Sequence, residues 1–297
     1  MAMPSPKARR VWKHWISTID MVIAIIAAVL LLLCILYLLA IRGRKGHPGL
    51  SGLRGWSYAH RGLHSNGIPE NSMAAFRAAL EGGYGIELDV HLLKDGNLAI
   101  MHDSDLLRTT GASGKMEDLT TGELTNYRLE GTDQTIPEFR QVLELYAGKA
   151  PLVVELKVSG NNYAALTEAT CKMMDSYNGV YCMESFDPRC LMWLKKHRPD
   201  IIRGQLSENY FATNSKLPFI LKLVLGKNLC NFLTKPDFVA YRYADRRSTL
   251  SNRICMRRMA GVSGTVVTQE DFDTAVAEGW IPIFEGFRPD ATRRPEN

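Results

Sequence analysis

No C-x-x-C pair, internal repeat or low-complexity tract occurs in the 297 residues of this chain. Cysteine is scarce and poorly arranged for cross-linking. Of six, Cys34 lies inside an apolar run, leaving Cys171, Cys182, Cys190, Cys230 and Cys255, an odd set without paired spacing. This argues against a disulfide framework and a structural zinc site, and it favours a reducing compartment. There is also no zinc-finger spacing, RNA-binding signature or basic stripe interleaved with aromatics, so nucleic acid is not an expected partner. The net charge of +5 gathers near the N-terminus, where Lys7, Arg9, Arg10 and Lys13 precede the apolar run and Arg42, Arg44 and Lys45 follow it. Basic residues flanking a span are drawn to anionic lipid headgroups, which makes membrane lipids an expected partner.

The run itself extends from Met21 to Ile41, 21 residues without a charge. As a helix it spans the hydrocarbon core of about 30 Å. A cleaved signal peptide would carry a shorter apolar region of about 7–15 residues and a small-residue cleavage site. Tyr37-Leu38-Leu39-Ala40-Ile41-Arg42 is a poor one. The expected organisation is a basic segment over 1–20, a transmembrane helix over 21–41, a Gly/Pro linker over 42–55 and one globular domain over 56–297. Trp12, Trp15 and Tyr37 suit interfacial positions. The chain reads as a single-pass membrane protein. Similar Lys/Arg counts on the two flanks leave orientation undecided, and the odd thiol count tilts the reading to the cytoplasmic side. Nothing in the sequence sets the oligomeric state.

About 245 residues remain for the globular domain, the size of one α/β barrel. Short apolar runs there alternate with helical patterns. Strands are expected at Ser57–His60, Ile86–Val90, Leu98–His102, Leu152–Leu156, Val180–Glu184, Ile202–Gln205, Phe238–Tyr241, Thr265–Val267 and Pro282–Phe284. Helices are expected at Ser72–Glu81, Pro137–Ala147, Tyr163–Ser176, Asp187–His197 and Glu270–Glu278. About eight such alternations predict a (β/α)8 TIM barrel of the α/β class. Asn71 or Ser72 can cap the first of these helices. Only Lys94-Asp95-Gly96-Asn97 separates the second and third strands, too little for a crossover helix, so an antiparallel hairpin should distort the barrel. With Asp95-Gly96 as a two-residue turn, Lys94 pairs with Asn97 and Asp89 faces His102. Glu87 shares that face by period-2 alternation.

Glu87, Asp89 and Glu155 each sit inside apolar strands, where a carboxylate is costly unless it is paired or binds a cation. Three carboxylates suit one hard divalent cation, Ca²⁺ or Mg²⁺. The competing reading of each is a salt bridge, for instance with Arg61 or Lys157. His60 and His102 end apolar strands and fit a general acid/base pair. Arg61 offers a bidentate fork to phosphate oxygens, and Lys157 a second positive charge. Charge neutralisation, a Lewis acid and a proton relay are what phosphodiester cleavage requires.

His60-Arg61-Gly62, Pro69-Glu70-Asn71-Ser72, Glu87-Leu88-Asp89-Val90, His102-Asp103 and Glu155-Leu156-Lys157, with Ser185-Phe186-Asp187 beyond them, occur in the order of the glycerophosphodiester phosphodiesterase family. The chain resembles that family from about Tyr58 to Pro289. The resemblance implies a distorted barrel, one divalent metal and hydrolysis of glycerophosphodiesters to glycerol 3-phosphate and an alcohol. Glu87, Asp89 and Glu155 match metal ligands, His60 and His102 the acid/base pair, and Arg61 and Lys157 phosphate contacts. Glu70 matches a family acid that neighbours the metal or pairs with Arg61, and Asn71 orients it or caps the helix. Gly264-Thr265-Val266 departs from the family's usual Trp-Thr-Val, which would widen the pocket unless neighbours repack. A lysophospholipid or polymer substrate, or phosphodiester binding without catalysis, are the alternatives. Residues 217–233 interleave Phe219, Ile220, Leu223 and Phe232 with Lys222 and Lys227, and Lys216 and Lys235 flank them. That pattern suits either an amphipathic element at the bilayer interface or an ordinary core-facing helix.

Overall fold

The computed structural model describes residues 6–213 and 215–289. The first residues of the basic segment and the last of the 56–297 domain lie outside the described residues, as do the side chains of Arg9, Arg10, Trp12 and Lys13. Among the described residues nine strands form: β1 Tyr58–His60, β2 Gly85–Leu92, β3 Leu98–Ile100, β4 Leu152–Leu156, β5 Tyr181–Ser185, β6 Arg203–Ser207, β7 Phe238–Arg242, β8 Ala260–Val266 and β9 Trp280–Phe284. Eight of them run parallel and close on themselves, β9 and β2 both pairing with β1, while β3 hangs antiparallel on β2. This is the expected barrel distorted by a hairpin. The helices are α1 Pro6–Ala40, α2 Leu50–Leu53, α3 Met73–Glu81, α4 Leu107–Thr110, α5 Phe139–Tyr146, α6 Tyr163–Met174, α7 Pro188–His197, α8 Phe219–Gly226, α9 Asn231–Thr234, α10 Leu250–Met256 and α11 Gln269–Ala277.

Two expectations about the strands need correction. The hairpin loop has three residues, Lys94-Asp95-Gly96, with Gly96 at φ +83° and the Leu93 amide donating to Asn97 at 2.8 Å. Asp89 therefore faces Met101, whose amide donates to its carbonyl at 3.1 Å, and not His102. Long-range contacts set this register. Asp95 Oδ2 accepts from the Thr121 amide at 2.8 Å, and the Lys94 amide donates to Leu119 at 2.9 Å. The second correction is β8, which starts at Ala260 rather than Thr265. Gly261, Ser263 and Gly264 hide it, because small residues make no apolar run. Gly261 is small for a reason: a Cβ there would sit 2.0 Å from Met256 Sδ on α10.

The barrel floor is apolar. Leu53, Tyr58, Val153, Phe238, Val262 and Ile281 are buried together at the N-terminal ends of the strands. Each such side chain stabilises the fold by roughly 1.5–3 kcal/mol on burial. Leu50 and Leu53 come from α2, so part of the segment read as a linker over 42–55 is packed into the floor. The same segment is fixed by the Arg44 guanidinium on buried Asp237, at 2.5 and 2.6 Å. Asp237 also accepts from the Arg203 amide at 3.0 Å. Helix α1 contains a stretch, Thr18–Ala40, long and apolar enough to cross a membrane, and its most apolar window is not buried against the barrel. Ile41, counted in the expected span, is instead buried in the barrel core.

Candidate active site

Strand alternation builds the site. Moving up each strand from the apolar floor, the next inward position changes character: Tyr58 gives way to His60, Gly85 to Glu87, Val153 to Glu155 and Cys182 to Glu184. These upper residues open into a cavity of about 540 Å³ at the C-terminal ends of the strands. That is the face on which (β/α)8 barrels carry their sites.

Register brings the acids together. Asp89 lies beside Glu155, and Glu155 beside Glu184. Glu87, Asp89 and Glu155 each offer an oxygen within 4.8 Å of the other two. Glu87 Oε1 is buried with no hydrogen-bond partner. A hard cation would satisfy such an atom, and three carboxylate oxygens are the donor set for Ca²⁺ or Mg²⁺, so the residues fit the ion.

The electrostatics follow from burial and repulsion. Burial, then Asp89 and Glu155, push the Glu87 carboxyl well above its usual range. Burial, then Glu155 and Asp89, do the same to Glu184. Glu155 is also raised, by burial first, against the pull of Lys157. Asp89 goes the other way: burial opposes ionisation, but Lys157, His102 and Arg61 outweigh it and hold the carboxyl low. Lys157 Nζ lies 3.0 Å from Asp89 and 2.9 Å from Glu155. Its charge thus faces the acids.

Both histidines carry a carboxylate on Nδ1. His60 Nδ1 is 2.9 Å from Glu285 Oε2, and its Nε2 lies 3.8 Å from Glu87. His102 Nδ1 is 2.6 Å from Asp103 Oδ1. Burial, then Lys157, push the His102 imidazole below its ordinary value. β3 ends at Ile100, so alternation no longer governs His102, and it lines the cavity despite the shifted register.

Arg61 and Asn71 are both left-handed, at φ 53° and 52°, a conformation that costs energy in non-glycine residues. The Asn71 amide donates to the Arg61 carbonyl at 2.8 Å, locking the two turns together. Arg61 reaches both Glu70 oxygens at 3.1 Å and Asp89 at 3.5 Å. Of the two roles open to Glu70, pairing with Arg61 is the one seen. Asn71 is neither the cap nor a partner of Glu70: its Nδ2 donates to Asp89 at 2.7 Å. Ser72 caps α3, accepting from the Ala75 amide.

The sequence model of the Glycerophosphoryl diester phosphodiesterase family matches residues 60–217. The chain belongs to this family. A glycerophosphodiester phosphodiesterase of Caldanaerobacter subterraneus subsp. tengcongensis is 36% identical over 158 residues, 50% of this chain and 65% of that protein. The rat protein named lysophospholipase D GDPD1 is 34% identical over 116 residues, 35% of this chain and 36% of that one. The matched stretch thus spans less than two thirds of these relatives. An Oleispira antarctica phosphodiesterase, solved with the product sn-glycerol-3-phosphate, shares the fold at a TM-score of 0.65 and 21% identity, covering 80% of this chain and 94% of that one.

Within this glycerophosphoryl diester phosphodiesterase fold, sequence reasoning overlooked Glu184, Glu285 and Arg108. The first two carried a signal like that of Glu155, an acid at or near the end of an apolar strand. Arg108 on α4 carried none. It reaches Glu70 at 2.5 Å and also pairs with Asp103, joining the His102 and Arg61 sides of the mouth.

Proposed function

We propose that the chain hydrolyses glycerophosphodiesters to glycerol 3-phosphate and an alcohol with one divalent cation, Ca²⁺ or Mg²⁺, held by Glu87, Asp89 and Glu155. The reading rests on one observation above all. Three carboxylates and two imidazoles, each imidazole with a carboxylate on its Nδ1, converge on one barrel mouth. When bound, the cation supplies Lewis-acid polarisation of a phosphoryl oxygen.

The chain's own residues do the rest. His102 is kept neutral by burial and Lys157, so it is suited to take the proton of the attacking hydroxyl. His60, oriented by Glu285, then returns a proton to the leaving alcohol oxygen. The phosphorus–oxygen bond to the alcohol breaks as the bond to the nucleophile forms. Arg61 lines the mouth and contacts phosphate oxygens, held in place by Glu70. Lys157 adds positive charge next to Asp89 and Glu155 and, in this reading, also serves the phosphate.

The chain is further proposed to be a single-pass membrane protein with the barrel over 56–297 on the cytoplasmic side. Retention of α1 is supported by its C-terminal end: the Ile41 carbonyl accepts from Asn231 Nδ2 at 3.2 Å and from Cys255 Sγ at 3.5 Å, so the barrel grips it. A lysophospholipid substrate is the second reading. It is favoured by Gly264 in the cavity wall and by the rat relative's name. Phosphorus NMR on glycerophosphocholine and on lysophosphatidylcholine, with Ca²⁺ or Mg²⁺ present, separates these readings. Glycerol 3-phosphate from the first supports the primary one, and lysophosphatidic acid from the second alone supports the other. An intact signal in both would favour binding without catalysis.

A further inference from the structure

Helix α8 is the most unusual surface of the barrel. Its sequence Phe219-Ile220-Leu221-Lys222-Leu223-Val224-Leu225-Gly226 is that of a core element, yet only Gly226 is buried. Phe219 is 67% exposed, Ile220 64% and Leu221 43%. The core-facing reading of 217–233 does not hold for α8, although Asn228, Cys230 and Asn231 beyond it are buried. The exposed surface continues on both sides. Phe211 packs edge-on against Phe219 with ring centroids 5.5 Å apart, and Phe232 and Leu233 of α9 are exposed as well. A patch of this kind marks a contact surface.

Three observations identify what covers it. First, α9, which carries Phe232 and Leu233, is joined to the chain just after α1: Asn231 Nδ2 donates to the Ile41 carbonyl, and Lys235 Nζ, just past α9, to the Arg42 carbonyl at 3.3 Å. A surface fixed beside an emerging bilayer span meets lipid first. Second, Lys216, Lys222, Lys227 and Lys235 lie between Ser215 and Pro236 with no Asp or Glu among them. Basic residues interleaved with exposed aromatics and leucines are the composition of interfacial helices on anionic membranes. Third, the other end of α8 is fixed to the catalytic mouth. Ser207 Oγ donates to the Leu225 carbonyl at 2.9 Å and Tyr241 Oη to the Gly226 carbonyl at 3.0 Å, and both residues line the cavity.

We infer that α8, with Phe211, Phe232 and Leu233, inserts into the bilayer interface beside the end of α1 and holds the catalytic mouth at headgroup level. This docking makes the anchor more than a tether: α1 fixes one edge of the barrel, and α8 fixes its tilt. The inference rests on the reading of α1 as a retained bilayer span.

The test uses the full chain in liposomes of phosphatidylcholine and phosphatidylglycerol, with Cys34→Ser removing the only exposed thiol. A bimane label is placed in turn at Ile220→Cys, at Ile26→Cys within α1 and at Glu144→Cys, an exposed position of α5, and quenched by spin-labelled phosphatidylcholine. The expected result is quenching at position 220 several-fold above that at 144 and comparable with that at 26. Quenching at 26 but not at 220 would overturn the docking and leave the anchor intact. No quenching at 26 would remove the anchor and the docking together. A second arm compares Phe219→Asp/Ile220→Asp with the wild type. Its turnover of lysophosphatidylcholine in vesicles should fall at least tenfold while that of soluble glycerophosphocholine stays within twofold, and equal retention of both would overturn the placement of the mouth. The quenching result does not depend on either substrate being cleaved, so a failed catalytic reading is told apart from a failed docking.

Discussion

Single residues of the cavity are pulled in opposite directions by one another. Glu184 is 1% exposed, has one oxygen without a partner and faces Glu155, so ionising it is unfavourable. Its folded-state pKa is raised above the unfolded value of about 4.3. Between those two values the folded chain binds more protons than the unfolded one, so this group's contribution to stability grows as pH falls through that window. Replacing it with an amide removes the cost of ionisation. Glu184→Gln should therefore raise the melting temperature of the metal-free protein by a few degrees at pH 8, and the gain should shrink as pH falls. Thermal melts of both proteins from pH 8 to pH 5 check this, and a gain that grows on acidification would contradict it. The raised carboxyls also bind cation in competition with protons. Ca²⁺ or Mg²⁺ affinity should weaken as pH falls while still above the ordinary carboxylate range, with proton release on binding measurable by calorimetry in two buffers. For the imidazoles, His60→Ala and His102→Ala should each cut turnover by about 10²–10⁴-fold. Near-normal turnover in either would remove that residue from the mechanism.

Among the elements, what was legible in the sequence was local. Period-2 alternation put Glu87 and Asp89 on one face of a strand, and the structure clusters them. The hairpin after β2 was legible from the length of its connection. Its register was not, because the contacts of Asp95 with Thr121 and of Lys94 with Leu119 span more than twenty residues. The role of Asn71 escaped for a similar reason. A capping signature next to Ser72 looks the same whether the amide caps a helix or reaches Asp89 on another strand. The 42–55 segment reads as a Gly/Pro linker, and only the structure brings Arg44 to Asp237. That pair yields a prediction. Asp237→Ala leaves Arg44 and the buried Arg203 without their acidic neighbour, and removing one partner of a buried pair costs about 3–5 kcal/mol. Melting of the Asp237→Ala variant should show a large loss of stability, and an unchanged melting curve would mean that the segment is held by α2 alone.

For the whole molecule, an apolar floor, a charged mouth and a long apolar N-terminal helix stand apart. The floor needs no polar partner and fixes the barrel. The mouth concentrates carboxylates that a fold without a cation would find costly. The helix is seated through Ile41, which in the proposed reading as a span holds the barrel close to the lipid surface. The (β/α)8 architecture was legible because strand–helix alternation is a property of the entire chain. The placement of α8 was not, because an apolar helix on the outside has the same composition as one inside. The account's central claim is that the three carboxylates hold a cation required for phosphodiester cleavage. The most direct measurement is glycerol 3-phosphate release from glycerophosphocholine by the full chain and by Glu155→Gln, each stripped with EDTA and then titrated with Ca²⁺ or Mg²⁺. The account predicts that release by the wild type is abolished by EDTA and restored by one of the two ions, and that the variant needs far more ion to recover. Release that is indifferent to EDTA, or an unchanged titration in Glu155→Gln, would contradict it.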